Sequence, residues 1–160
     1  MARPPLLRRV GTALLALAVH GAALAQAQVD ARIFTAAEQT QAAYLDTLRQ
    51  LVQVESGSKD VDGVRRLAHV VARQFKALGG DVQTLAATDL LRLSDTPAQV
   101  GPMVQAVFKG QGRGRILMLA HMDTVYPRGT LATQPFRIDG DKVYGLGIAD
   151  DKQGVALIIH

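Results

Sequence analysis

Apolar and polar positions along this chain follow more than one rhythm, and each rhythm predicts an element. From Ala36 to about Val52 the apolar residues Tyr44, Leu45, Leu48, Leu51 and Val52 recur three and four apart, the spacing of one face of an α-helix. Residues 26–35 read as a short lead-in before it. Glu55-Ser56-Gly57-Ser58 then breaks the pattern. A second helix is predicted from about Asp60 to Leu78, where Val61, Val64, Ala68, Val71, Phe75 and Leu78 form one continuous stripe. Asp60 suits its start, because a carboxylate there can accept from the free amides of the first turn. Gly79-Gly80 suits its end, because glycine tolerates the left-handed conformation that a helix end often needs.

Beyond the second helix the rhythm shortens. Val82 to Leu85 and Met103 to Phe108 read as strands. Between them, residues 86–102 are ambiguous, with Leu90, Leu91 and Leu93 followed by Pro97, Gly101 and Pro102. After a turn at Gly110-Gln111-Gly112-Arg113-Gly114, the run Ile116-Leu117-Met118-Leu119-Ala120 is wholly apolar, which predicts a central strand covered on both faces. Phe136 to Ile138 and Lys142 to Tyr144 flank Asp139-Gly140-Asp141 and predict a hairpin. A last helix is expected from near Asp151, with Val155, Ala156, Ile158 and Ile159 on it. The chain stops at His160 with neither a C-cap nor a breaker, so it reads as truncated, with Val155, Ile158 and Ile159 short of partners. The fold class that these elements predict is α/β: a mixed, mostly buried sheet with helices on both faces, incomplete in this chain.

The first residues follow a different logic. Arg3, Arg8 and Arg9 precede an apolar run from Val10 to Ala18, interrupted only by Gly11 and Thr12, and Ala23-Leu24-Ala25 offers small residues where a signal peptidase cuts. Residues 1–25 are therefore expected to be a secretory signal peptide, and residues 26–160 the N-terminal part of a catalytic domain. The run is short of the ~20 residues a bilayer span takes, although an uncleaved anchor is the alternative. The expected location is periplasmic or secreted, with no stable membrane association after leader cleavage.

Charge and composition sharpen this. The net charge of +4 includes the three leader arginines, which no leader acid offsets, so the rest of the chain is close to neutral. No cluster of Lys and Arg with interleaved aromatics follows, and nucleic-acid binding finds no support. With 160 residues and 48% hydrophobic content the chain can build one packed core. There is no cysteine. An exported domain without disulfides must rely on that core or on a metal, and any metal site must use nitrogen and oxygen ligands.

Two segments carry candidate chemistry. His121-Met122-Asp123-Thr124-Val125 follows the apolar run directly, and ligands of α/β sheets bind beyond the carboxyl ends of strands. His121 is a good zinc ligand by type. Asp123, two residues on, can accept its other ring N–H and so fix the tautomer. A satisfied structural histidine is the competing reading. The second segment, Gly145-Leu146-Gly147-Ile148-Ala149-Asp150-Asp151-Lys152-Gln153-Gly154, allows a tight turn and sets two carboxylates at a helix start. Ordinary capping explains such acids as well. A phosphate loop does not, since the acids stand where an anion would bind.

Taken together, Leu119-Ala120-His121-Met122-Asp123-Thr124-Val125-Tyr126-Pro127, Pro135-Phe136, and Asp139 through Lys152 resemble the glutamate carboxypeptidase branch of the zinc aminoacylase and carboxypeptidase family, metallopeptidase family 20. Leu51 to Ser58 and the helix after them extend the resemblance over about residues 40–160. It implies that His121 is a zinc ligand and Asp123 its orienting partner, with a catalytic role. It also implies that Asp150 is the carboxylate bridging two zinc ions, and that Asp151 is a cap. Gln153 departs from the family pattern, which has glycine there. The family's adjacent glutamate pair, a further carboxylate, a late histidine and the smaller pairing domain are all expected beyond residue 160. The implied activity is hydrolysis of an amide bond next to a free carboxylate in a small peptide or N-acyl amino acid, releasing C-terminal glutamate. The implied assembly is a homodimer when full length, and the fragment alone is expected to be inactive. The alternatives are a deacylase or dipeptidase of the same family, or an inactive exported binding module with this fold. His160 has no matching role, His69 reads as a surface residue, and His20 belongs to the leader.

Overall fold

The computed structural model describes residues 30–160; the expected signal peptide lies outside the described residues. Helix α1 spans Ala31–Val52. It starts earlier than the apolar spacing indicates, because the Asp30 carboxylate accepts from the Arg32 amide at 2.9 Å and caps it there. Ile33 and Phe34 are exposed in this first turn, so no buried stripe marks it. Helix α2, Val61–Ala77, starts as predicted, with Asp60 Oδ1 accepting from the Gly63 amide at 3.0 Å. It ends where Gly79 turns left-handed at φ 83° and the Gly80 amide donates to the Phe75 carbonyl. Leu78, predicted on the apolar stripe, is instead exposed at this end.

Helix α3, Gln153–Ile159, packs against both. The core is the apolar face of each: Leu48, Leu51 and Val52 of α1, Leu67, Val71 and Phe75 of α2, and Val155, Ala156 and Ile159 of α3. Full burial of an aliphatic or aromatic side chain contributes about 1.5–3 kcal/mol, so these contacts hold the three helices together. Of the three residues expected to be short of partners, Val155 and Ile159 are buried and Ile158 is half-buried. Val155 and Ile159 face α1 and α2, and among the apolar residues of α3 it is Leu157 that stays exposed.

Strands β1, Asp81–Leu85, and β2, Met103–Val107, pair antiparallel, with Asp81 opposite Val107 and Leu85 opposite Met103. Val82, Val104 and Ala106 turn inward against the helical core, as the alternation of a strand requires. Strands β3, Arg137–Asp139, and β4, Lys142–Tyr144, form the predicted hairpin around Gly140, whose φ of 59° glycine adopts freely. The coarse class, α/β, holds. The mixed buried sheet does not form among the described residues, where the strands make two separate antiparallel pairs. Ile116 to Ala120, predicted as its central strand, is not a strand, and Leu117 and Leu119 are each 81% exposed. A strand exists through its hydrogen-bonded neighbours, and no described strand pairs with this run. No described helix is long and apolar enough to cross a membrane.

Candidate metal centre

The first motif is held by the loop that breaks the helical pattern after α1. Gly57 and Thr124 form a parallel bridge. Around it the Thr124 amide donates to the Ser56 carbonyl at 2.8 Å and the Ser58 amide to the Thr124 carbonyl at 2.9 Å. The buried Ser56 hydroxyl donates to the Met122 carbonyl at 2.8 Å. A Cβ on Gly57 would strike the Tyr126 carbonyl, so only glycine lets the two segments lie this close. Further along, Glu55 accepts from the amides of Gly129 and Leu131, and Asp60 pairs with Arg128. The loop thus grips residues 122–131 along their length.

The second motif turns on its glycines. Leu146 is buried between Gly145 and Gly147, and Gly147 has φ 71° with the Thr124 methyl where its Cβ would sit. This contact presses the two motifs together. After it comes a π-turn, Ile148–Lys152, in which the Lys152 amide donates to the Gly147 carbonyl at 2.8 Å. Lys152 itself is fully buried and donates from Nζ to the Val54 carbonyl at 2.7 Å, tying the turn to the end of α1. Burial lowers its pKa to about 8. Asp150 and Asp151 have non-helical backbone, and the peptide between them is cis. The cap expected of Asp151 is not made. Helix α3 begins beyond it with no side-chain cap, and the Asp151 carboxylate lies instead where a Cβ on Gly154 would be. Gln153 takes ordinary helical dihedrals, so its departure from the family pattern leaves the helix start intact.

The outcome is that His121, Asp123 and Asp150 meet at the surface. His121 Nε2 lies 2.8 Å from Asp150 Oδ1, and Nδ1 lies 3.2 Å from Asp123 Oδ1 and 3.0 Å from the Asp123 carbonyl oxygen. Partial burial pulls the imidazole pKa down, but the hydrogen bond to Asp150 and the charge of Asp123 outweigh it, so the net shift is upward. The donor chemistry fits zinc. With Nδ1 engaged by Asp123, Nε2 faces a carboxylate oxygen a few tenths of an ångström closer than two ligands of one tetrahedral zinc ion stand, at roughly 3.3 Å. Among the described residues no group of three or more His, Cys, Asp or Glu converges on one point. Catalytic zinc takes three protein ligands and a water, and the described residues bring one nitrogen and one carboxylate oxygen, His121 Nε2 and Asp150 Oδ1, face to face.

Ser58 donates from Oγ to Asp123 Oδ2 at 2.7 Å, and sequence reasoning assigned it no role at the site. Lys152 was passed over in the same way. The signal that could have found them was their place inside the two resembling segments. His69 is exposed, as expected. His160 Nε2 pairs with Thr47 Oγ1 at 2.9 Å beside the Tyr44 ring, which is a structural arrangement remote from His121 in kind and in partners.

No family model matches this sequence. The chain is 41% identical over 159 residues to carboxypeptidase G2 of Pseudomonas sp. (strain RS-16), a match that takes in 99% of this chain and 36% of that protein. The chain thus spans about a third of the length of the curated relative it matches. Identity at this level over this length reflects common descent, and the resemblance read from the two motifs is borne out.

Proposed function

We propose, on the premise that this chain is a relative of carboxypeptidase G2, that it is part of a zinc-dependent exopeptidase. The reaction is hydrolysis of an amide bond next to a free carboxylate, with release of C-terminal glutamate from a small peptide or N-acyl amino acid. The observation that supports this best is the convergence of His121 Nε2 on Asp150 Oδ1, with Asp123 behind the ring. Bound zinc would supply a water of lowered pKa and polarise the scissile carbonyl. Asp123 would keep the proton on Nδ1, so that loss of the Nε2 proton would leave that lone pair to a metal. Asp150 would hold metal through its carboxylate and supply negative charge to offset bound cations, the bridging role that the resemblance implies for it. Lys152 and the Gly147–Thr124 contact keep Asp150 beside His121. The general base belongs to the glutamate pair expected outside these residues, and a zinc-peptidase-like sheet would complete the fold there.

Elemental analysis and a glutamate-release assay on the intact protein test this reading. His121→Ala removes most zinc and nearly all turnover of an N-acyl glutamate. Asp123→Asn lowers metal affinity or rate by ~10–100-fold, the usual scale for a ligand's orienting partner. Full zinc occupancy and a normal rate in Asp150→Ala would sink the bridging role. Residues 26–160 alone bind zinc weakly and release no product. Export belongs to the same reading, and an N-terminus near Gln26 by mass spectrometry of envelope protein is its mark.

A further inference from the structure

Behind the His121–Asp123 pair stands a third polar side chain. The half-buried Ser58 lies on the loop between α1 and α2, and its Oγ is 2.7 Å from Asp123 Oδ2 and 3.1 Å from the Thr124 carbonyl oxygen. A hydroxyl has one proton to give. The charged and nearer acceptor takes it, since O–H to carboxylate bonds are the shorter and stronger kind. Among the described residues no other side chain is hydrogen-bonded to Asp123 Oδ2. We infer that Ser58 is a positioning residue of the metal centre: its hydroxyl locks the Asp123 carboxylate, and Asp123 so locked holds the His121 ring with Nε2 toward Asp150. This rests on the metal-site reading above.

The geometry gives the lock something to do. The Asp123 side chain is 42% exposed, so packing alone does not fix its rotamer. His121 Nδ1 has two acceptors within reach, the Asp123 carboxylate and its carbonyl, and which one it uses depends on where the carboxylate points. Ser58 is itself immobile by construction. Its amide donates to the Thr124 carbonyl, the Asp60 amide donates to the Gly57 carbonyl at 2.7 Å, and Gly57 is wedged against the backbone of Tyr126. The hydroxyl is thus anchored to the same segment that carries the ligand.

Removing the hydroxyl has two opposed electronic effects that nearly cancel. The carboxylate loses one donor, and at this exposure water replaces it. Its basicity toward the imidazole therefore changes little. Water does not restore the fixed angle, and orientation is what remains lost. Removing a ligand's direct outer partner costs ~10–100-fold in metal affinity. Ser58 acts one bond further out, so a loss of about 3–10-fold is expected from the same scale.

The test is competition of Zn²⁺ and Co²⁺ against a chromophoric chelator on the intact protein, together with the visible spectrum of the Co²⁺ form. Ser58→Ala weakens both metals by about 3–10-fold and shifts the Co²⁺ bands, as expected of a disordered ligand partner. Ser58→Thr, which keeps the hydroxyl, restores affinity and spectrum. Far-ultraviolet circular dichroism matching wild type in both variants keeps a folding defect out of the comparison. Unchanged affinity and spectrum in Ser58→Ala, with His121→Ala abolishing the Co²⁺ signature, would overturn the role of Ser58 and leave the metal site standing. Retention of that signature in His121→Ala would overturn the metal site and this inference with it.

Discussion

At Gly147 the backbone runs at φ 71°, and the methyl of Thr124 fills the space where a Cβ would be. One missing side chain thus does two things: it permits the left-handed turn before Asp150, and it lets the two motifs touch. Gly147→Ala must strain the backbone by about 1–3 kcal/mol, the usual cost of a non-glycine residue held there, and must also push Thr124 away. The expected outcome is a lower urea midpoint and weaker zinc binding in the intact protein. A variant with wild-type values for both would show that the contact is not what joins the motifs. His121, Asp123 and Asp150 are candidates in the sequence because they stand inside the two segments that carry the family resemblance. Ser58 and Lys152 are not, because a serine or lysine has many ordinary uses and only proximity distinguishes these two.

The loop of residues 55–60 is the element on which the site is built, and its apolar pattern says only that a helix stops. Its work is done by polar groups with distant partners. The amides of Leu131 and Gly129 hold the Glu55 carboxyl below its ordinary value of 4.5, and Arg128 with the Gly63 amide holds Asp60 below 3.8. Both folded-state values lie below the unfolded ones, so their contribution is fully present above the ordinary carboxylate range and is lost as pH falls through the folded values. Unfolding by urea from pH 7 to pH 3 is expected to show stability falling on the acid side. Glu55→Gln, which keeps the shape and removes the charge, should make that fall shallower. An identical pH profile in the variant would exclude Glu55 from acid sensitivity. The helices, by contrast, were readable to within a turn or so, since a buried stripe and a capping Asp are local signals. The exception is the first turn of α1, whose apolar residues face solvent.

Across the whole molecule the described surface carries one run that composition marks for burial and the fold leaves open, Ile116 to Leu119, with Ile116 90% exposed. Contiguous apolar surface of this kind promotes association. A polypeptide of these residues is expected to bind a hydrophobic dye and to self-associate in sedimentation. The double substitution Leu117→Lys and Leu119→Lys should reduce both while leaving the helical circular dichroism unchanged, because neither side chain belongs to the core. Equal dye binding and equal sedimentation in the variant would locate the sticky surface elsewhere.

By itself the sequence determined the helices to within a turn or so, both ends of α2 and the β3–β4 hairpin, because periodicity, capping and turn chemistry act over a few residues. It also carried the kinship with carboxypeptidase G2. Only the tertiary structure decided that α3 packs on α1 and α2, that the Glu55–Asp60 loop clamps the first motif, and that His121 faces Asp150. It also decided that the Ile116–Ala120 run stands unpaired. These depend on contacts between residues tens of positions apart, such as Ser58 with Asp123 and Val54 with Lys152. A local pattern shows that a side chain wants a partner, and the folded chain alone shows which partner it finds.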